Sequence, residues 1–377
     1  MVMLVTFLIL GMGEELWTRF IPKYLEFLGA SVWVIALYGT LKDLIDAVYQ
    51  YPGGWLADRL GRRSALVLFT VLAIIGYTVY LFSTSWEWML FGTIFVMAWS
   101  SLTLPAVFAI IGDNLPQTHR AIGFGVQSGL KRIPIVLGPV IGGLLITTLG
   151  FSLGIKAGLV ITILLAVAAL FLVRRFYSES SPKPDTTTSF TGIWRSLDVR
   201  LKRLLVADSL ARWAEGIPKV FIILYFIDSL KGDAFQFGWL TGIQQLTAIL
   251  IYIPIAKLSD KVNRKPFVLL TFSFFALFPL TLVTAQELIW VVVAFIISGL
   301  REIGEPARKA YIVDLAPETA RGRVVGMYYL IRGLAVFPAS LVGGWLWAID
   351  VRLPFYTAFV VGVVACIFYG VSSSKEK

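Results

Sequence analysis

Apolar residues in this chain come in long unbroken blocks separated by short runs of Gly, Pro and charged residues. A helix needs ~20 apolar residues to cross the hydrocarbon core of a bilayer. Reading the blocks between their punctuation predicts twelve spans, at 2–25, 31–54, 64–83, 86–111, 121–148, 153–173, 203–227, 236–256, 266–285, 288–312, 324–348 and 353–371. The continuity of the blocks excludes a membrane β-barrel, whose ~10-residue segments alternate apolar and polar positions. The connections are short except at 174–202, where Arg174, Arg175 and a Ser/Pro/Thr-rich run read as a flexible linker. The pattern therefore predicts an all-α membrane protein of twelve transmembrane helices in two six-helix bundles, residues 1–173 and 203–377, joined by the linker 174–202. The first block starts at Val2 with no basic leader and no small-residue cleavage site, so a first span is expected there and not a cleaved signal.

Composition sharpens this. Of 377 residues 58% are hydrophobic and 15% charged, against roughly 45–50% and about 25% in soluble domains. Twelve spans use ~240–260 residues, so little chain remains for a soluble domain. The net charge of +10 would suggest nucleic acid on a soluble protein. Here 21 Lys and Arg fall on one side of the spans, and only Lys23, Lys156, Lys231 and Arg352 on the other. The positive-inside rule then places both termini and the linker in the cytoplasm, in a cell (inner or plasma) membrane, and removes the case for a nucleic-acid partner. One cysteine, Cys366, allows no intramolecular disulfide, and one histidine, His119, excludes sites built on two His ligands. Neither metal nor cofactor is expected. No phosphate-binding G-x4-G-K-[ST] loop is present, so ATP is not expected to drive any activity directly.

The halves repeat each other. At an offset of 201, Pro105-Ala106 matches Pro306-Ala307, Asp113 matches Asp314, Pro116 matches Pro317, Arg120 matches Arg321, Gly125 matches Gly326, Lys131 matches Arg332 and Gly142-Gly143 matches Gly343-Gly344. Shifted by one more, Pro52, Asp58, Arg62 and Arg63 match Pro254, Asp260, Arg264 and Lys265. Helix breakers and charges would not align through apolar composition alone. The repeat runs in one orientation, so the halves are pseudo-symmetric about an axis along the membrane normal, with any ligand expected between them at the midplane.

The loop after the second span reads Gly54-Trp55-Leu56-Ala57-Asp58-Arg59-Leu60-Gly61-Arg62-Arg63. It resembles the signature loop of the major facilitator superfamily, G-x-L-a-D-r-x-G-r-k, and a degenerate copy follows the eighth span from Ala256 to Lys265, holding Asp260, Arg264 and Lys265. In such a loop Gly54 lets helix ends approach, Gly61 supplies a turn with positive φ, and Asp58 can hold a cytoplasmic gate through a helix terminus or an arginine. Asp113 and Arg120, with their repeats Asp314 and Arg321, read as further gate latches together with Arg308. In the fifth span, Gly125, Pro134, Gly138-Pro139 and Gly142-Gly143 are similar to the antiporter motif of drug/proton exchangers in that superfamily, G-x8-G-x3-G-P-x2-G-G, with Pro134 replacing one glycine. Its small residues allow close helix packing. The resemblance covers nearly the whole chain. It implies the superfamily fold, alternating access and export of small solutes.

Charges inside the spans carry the remaining chemistry. Glu14 and Glu15 lie in the first span, Asp43 and Asp46 with Lys42 in the second, Lys131 and Arg132 in the fifth, Arg212 and Glu215 in the seventh, Arg301, Glu302 and Glu305 in the tenth, and Arg332 in the eleventh. At ~1.5 Å per residue most lie ~12–20 Å from a span end. Facing lipid they would be costly, so they are expected to face a cavity and pair with one another. Asp43-x-x-Asp46 superficially resembles the acidic metal motif of membrane prenyltransferases, but it has no second copy and Lys42 beside it disfavours a doubly charged cation. Glu14 and Glu215 match by the repeat and are the leading sites for protons or a cationic group, Glu14 as the carrier. Lys131 and Arg332 also match, and would suit an anionic solute or clamp the acids. The expectation is a secondary transporter and not an enzyme, probed by a small-molecule substrate and protons as its partners in the bilayer, working as a monomer. It exports amphipathic or cationic solutes against protons, with an organic-anion or metabolite transporter of the same fold as the alternative. A membrane-embedded enzyme or a receptor that does not transport is the remote one.

Overall fold

The computed structural model describes residues 2–102, 117–176, 198–259, 265–305, 308, 311–312, 315 and 321–374. The described residues are almost wholly helical: α1 (Val2–Glu15), α2 (Ile21–Phe27), α3 (Val32–Leu60), α4 (Arg62–Phe82), α5 (Trp86–Met97), α6 (Gln117–Leu149), α7 (Phe151–Phe176), α8 (Val199–Gly216), α9 (Ala234–Ser259), α10 (Lys265–Val283), α11 (Leu288–Leu300), α12 (Arg321–Val336), α13 (Ala339–Ile349) and α14 (Leu353–Ser374). Among the described residues, six helical segments are individually long and apolar enough to cross a membrane, at 63–82, 132–149, 151–176, 265–283, 327–349 and 353–371.

Several of the predicted spans are interrupted. The first breaks after Glu15, passes through a 3₁₀ turn at Thr18–Phe20 and resumes as α2, with Pro22 in its first turn. Proline fits there because a first-turn N–H has no helical partner to lose. The seventh ends α8 at Gly216, just before Pro218, and continues as a π turn at Tyr225–Ser229. The fourth passes from α5 into a π turn at Ala98–Leu102, and the tenth from α11 into a 3₁₀ turn at Arg301–Gly304. The eleventh divides at Pro338 into α12 and α13. The breaks of spans one and seven, and of spans four and ten, fall at matching positions of the repeat although different residues cause them. A backbone interrupted at membrane depth is tolerated where it lines a cavity or is buried in protein.

The chain forms two compact units, Met1–Thr186 with Phe226–Gly242, and Thr187–Tyr225 with Ile243–Lys377. The helices also trim the expected linker: α7 runs on to Phe176 and α8 begins at Val199. Arg174 and Arg175 thereby occupy the last turn of α7, where basic side chains favour the helix dipole. In the first unit α1 packs on α6 and α7, and α4 on α5 and α7. In the second, α10 packs on α14 and α11, and α8 on α14 and α12. The second unit's core gathers Leu201, Leu204, Leu205, Phe272, Phe275, Met327 and Tyr328.

Candidate functional site

The second unit holds a network of charges on four elements, α8, the 3₁₀ turn after α11, the residues following it, and α12. Asp208 is its hub, one helical turn before Arg212 and only 1% exposed. Its Oδ2 accepts from Arg308, from Arg332 Nη1 at 3.1 Å and from the Tyr328 hydroxyl at 3.0 Å. Arg308, 2% exposed, also donates to Glu305 through Nε at 3.1 Å and through Nη2. Arg212 reaches three carboxylates: Glu215 Oε2 from Nη1 at 2.8 Å, Glu305 Oε2 from Nη2 at 3.5 Å, and Asp208 Oδ1 from Nε at 4.0 Å. Arg301 lies 3.5 Å from Glu215 Oε1, donates to the Ser298 carbonyl at 2.9 Å and stacks over Phe275 and Phe278. Arg332 stacks over the Tyr329 ring, 4.7 Å from its centre.

Such charges are stable in an apolar bundle only because they satisfy one another. Among the described residues four arginines face three carboxylates. The network is graded from the sealed Asp208–Arg308 pair to Arg332, Arg212 and Glu215, whose side chains are 19%, 22% and 30% exposed. Its outer end is therefore partly exposed while its inner end is sealed.

The first unit presents carboxylates at the break in the first span. Glu14 Oε1 accepts from the hydroxyl of buried Tyr77 at 2.6 Å, and Thr18 caps the Glu14 carbonyl at 2.5 Å. Arg19 Nε approaches Glu15 Oε2 at 3.4 Å. Around the break, Trp17 Nε1 donates to Thr162 Oγ1 at 2.9 Å. The small residues of the fifth span make this geometry possible. A Cβ added at Gly138 would overlap Glu15, one at Gly142 would overlap the Leu16 carbonyl oxygen, and one at Gly143 would overlap the Ala234 carbonyl oxygen. Pro134 packs on Gly11. On α3, Asp46 accepts from Ser101 at 2.7 Å.

The structure thus brings Arg212, Glu215, Arg301, Glu305 and Arg332 together, and places Glu14, Glu15 and Asp46 in separate settings. Asp43, Arg132 and Glu302 are half-buried and lie outside the network just described. Gly61, between α3 and α4, has φ +85°, and Arg63 donates to the Arg174 carbonyl at the end of α7. Pro139 stays inside the continuous helix α6, Lys265 opens α10, and Arg59 is exposed. Asp113, Asp260, Arg264 and Asp314 lie outside the described residues. Gly54, Asp58, Arg62, Arg120, Gly125, Lys131 and Arg321 belong to helices, but beyond that backbone they too lie outside the described residues.

Two residues gain a setting the sequence did not give. Arg308, read from the sequence as a latch at the cytoplasmic end of the tenth span, is buried against Asp208 and Glu305. A polar end-of-span position had concealed an internal one. Asp208 was not singled out at all, although a lone carboxylate at i−4 from Arg212 in an apolar span was the available signal.

Interrupted helices around buried, mutually paired charges are the arrangement that multi-pass membrane transporters use. The model of the Major Facilitator Superfamily matches residues 2–227 and 204–377, and the chain belongs to that family. An uncharacterized MFS-type transporter of Methanocaldococcus jannaschii is 24% identical over 369 residues, covering 94% of this chain and 89% of its own. The multidrug resistance protein MdtH of Yersinia enterocolitica is 23% identical over 360 residues, covering 92% and 86%. A crystal structure of a POT family transporter in complex with 5-aminolevulinic acid superposes with a TM-score of 0.83 at 16% identity, covering 99% of this chain and 96% of that one. These similar proteins are transporters and not enzymes.

Proposed function

We propose that the chain exports small amphipathic solutes, cationic ones above all, in exchange for protons. Two six-helix halves, 1–173 and 203–377, alternate access to a midplane site, with both termini in the cytoplasm and the protein acting as a monomer in the cell membrane. Resemblance to a multidrug resistance protein supports export. The one-sided Lys and Arg distribution supports the orientation. Asp58 with its loop, and the repeat-related Asp260, Asp113 and Asp314, serve as gates.

The observation that carries proton coupling is the Glu14–Tyr77 hydrogen bond at a helix break in the first span. A tyrosine hydroxyl can donate to a carboxylate and accept from a carboxylic acid. Glu14 therefore keeps a partner in either protonation state, which a proton carrier inside a bundle needs. The test is purified protein in liposomes with an imposed pH gradient and ethidium as the solute. Gradient-driven ethidium flux that collapses with a protonophore supports the reading, and flux indifferent to the gradient contradicts it. The four arginines facing three carboxylates in the described network of Asp208, Glu215 and Glu305 favour one second reading, an organic-anion transporter. Replacing ethidium by a benzoate-type anion in the same liposomes separates the two.

A further inference from the structure

Arg212 is built with two seats. Its Nη1 holds Glu215 at 2.8 Å, the only one of its three carboxylate approaches that is short. Its Nε is buried and has no hydrogen-bond partner. The acceptor facing that Nε is Asp208 Oδ1 at 4.0 Å, and Nη2 faces Glu305 Oε2 at 3.5 Å. Among the described residues the hydrogen bonds to Asp208 all fall on Oδ2, which serves Arg308, Arg332 and Tyr328. Oδ1 is thus a buried carboxylate oxygen with acceptor capacity turned toward an unsatisfied buried donor. A movement of about an ångström along Arg212 closes both longer approaches to hydrogen-bond length, which is ~2.9 Å for such pairs. Leaving Glu215 would end one charge-assisted hydrogen bond and complete two others.

We infer that Arg212 is a displaceable counter-ion, and that Glu215, the most exposed carboxylate of the network, recognises the cationic group of the solute when Arg212 withdraws to Asp208 and Glu305. Arg301 stays behind on Glu215, pinned by the Ser298 carbonyl and by the buried rings of Phe275 and Phe278. Arg212 acts here as a positioning residue and Glu215 as the binding one. The inference rests on the export of cationic solutes proposed above and names the side chain that reads the charge.

The experiment uses the full chain in detergent and tetraphenylphosphonium as the probe, with equilibrium binding measured beside a neutral phosphine oxide of like shape. Glu215→Gln is expected to weaken phosphonium binding by about tenfold or more, the factor that 1.4 kcal/mol represents, while the neutral probe is unaffected. Arg212→Gln removes the competitor and is expected to tighten phosphonium binding severalfold. A merely structural Arg212 would weaken both probes together. Should Arg212→Gln fail to fold, side-chain NMR of ¹⁵N-arginine wild type replaces it, with the Arg212 Nε–H assigned by its loss in Arg212→Lys. Phosphonium is expected to shift that resonance downfield as its hydrogen bond forms. An unchanged resonance with phosphonium bound, or phosphonium affinity unaltered in Glu215→Gln, overturns the inference and leaves proton-driven export intact. Wild type that binds the neutral probe and not the cation overturns both the inference and the preference for cations.

Discussion

Replacing Asp208 by Asn keeps the size of the hub and removes its charge. Three arginines converge on that carboxylate: Arg308 in a sealed pair, Arg332 at 3.1 Å and Arg212 at 4.0 Å. The variant leaves four arginines facing Glu215 and Glu305 alone, with the guanidinium of Arg308 2% exposed and unable to reach water. Breaking a buried ion pair by removing one partner costs about 3–5 kcal/mol, mostly from the charge left behind. Asp208→Asn is therefore expected to fall in that range, read as thermal or denaturant unfolding of the protein in detergent. Combining it with Arg308→Gln removes the buried charge left with Glu305 alone, so the double variant should be more stable than the sum of the singles by about 0.5–3 kcal/mol. Arg332→Gln, which removes a partly exposed cation from a cation-rich network, should cost less than Asp208→Asn. Additive losses, or an Asp208→Asn protein as stable as wild type, would refute the hub.

Two further outcomes follow from the close approaches and the gating loop. Gly142→Ala places a methyl group on the Leu16 carbonyl oxygen and should destabilise the protein by about 1–3 kcal/mol through overpacking, whereas Gly370→Ala, which meets nothing within 4 Å, should be silent in the same unfolding assay. Asp58→Asn should impair transport in liposomes while leaving expression and unfolding close to wild type, and normal transport by that variant would remove Asp58 from the gate.

The apolar blocks located the helices because burial in lipid imposes a length and a composition that a single sequence displays. The interruptions were equally present, at Pro22, Pro218 and Pro338, but a window of apolar residues averages over one proline. Pairing was less legible. That Glu14 meets Tyr77, and Asp46 meets Ser101, depends on the rotation of one helix against another, which hydropathy does not encode. The same holds for Gly142 and Gly143: their size announced a close approach, while the partners, Leu16 and Ala234, came from packing. Arg308 and Asp208 show the remaining gap, since a charge near a span end reads alike whether it meets water or a buried partner.

Proton coupling through Glu14 is tested most directly by one comparison in liposomes, Glu14→Gln against wild type, with uphill ethidium accumulation under a pH gradient and downhill ethidium equilibration measured side by side. Glutamine keeps a partner for Tyr77 but carries no titratable proton. The account predicts that uphill accumulation is lost while downhill equilibration continues. Accumulation that survives in Glu14→Gln with an unchanged pH profile would contradict it.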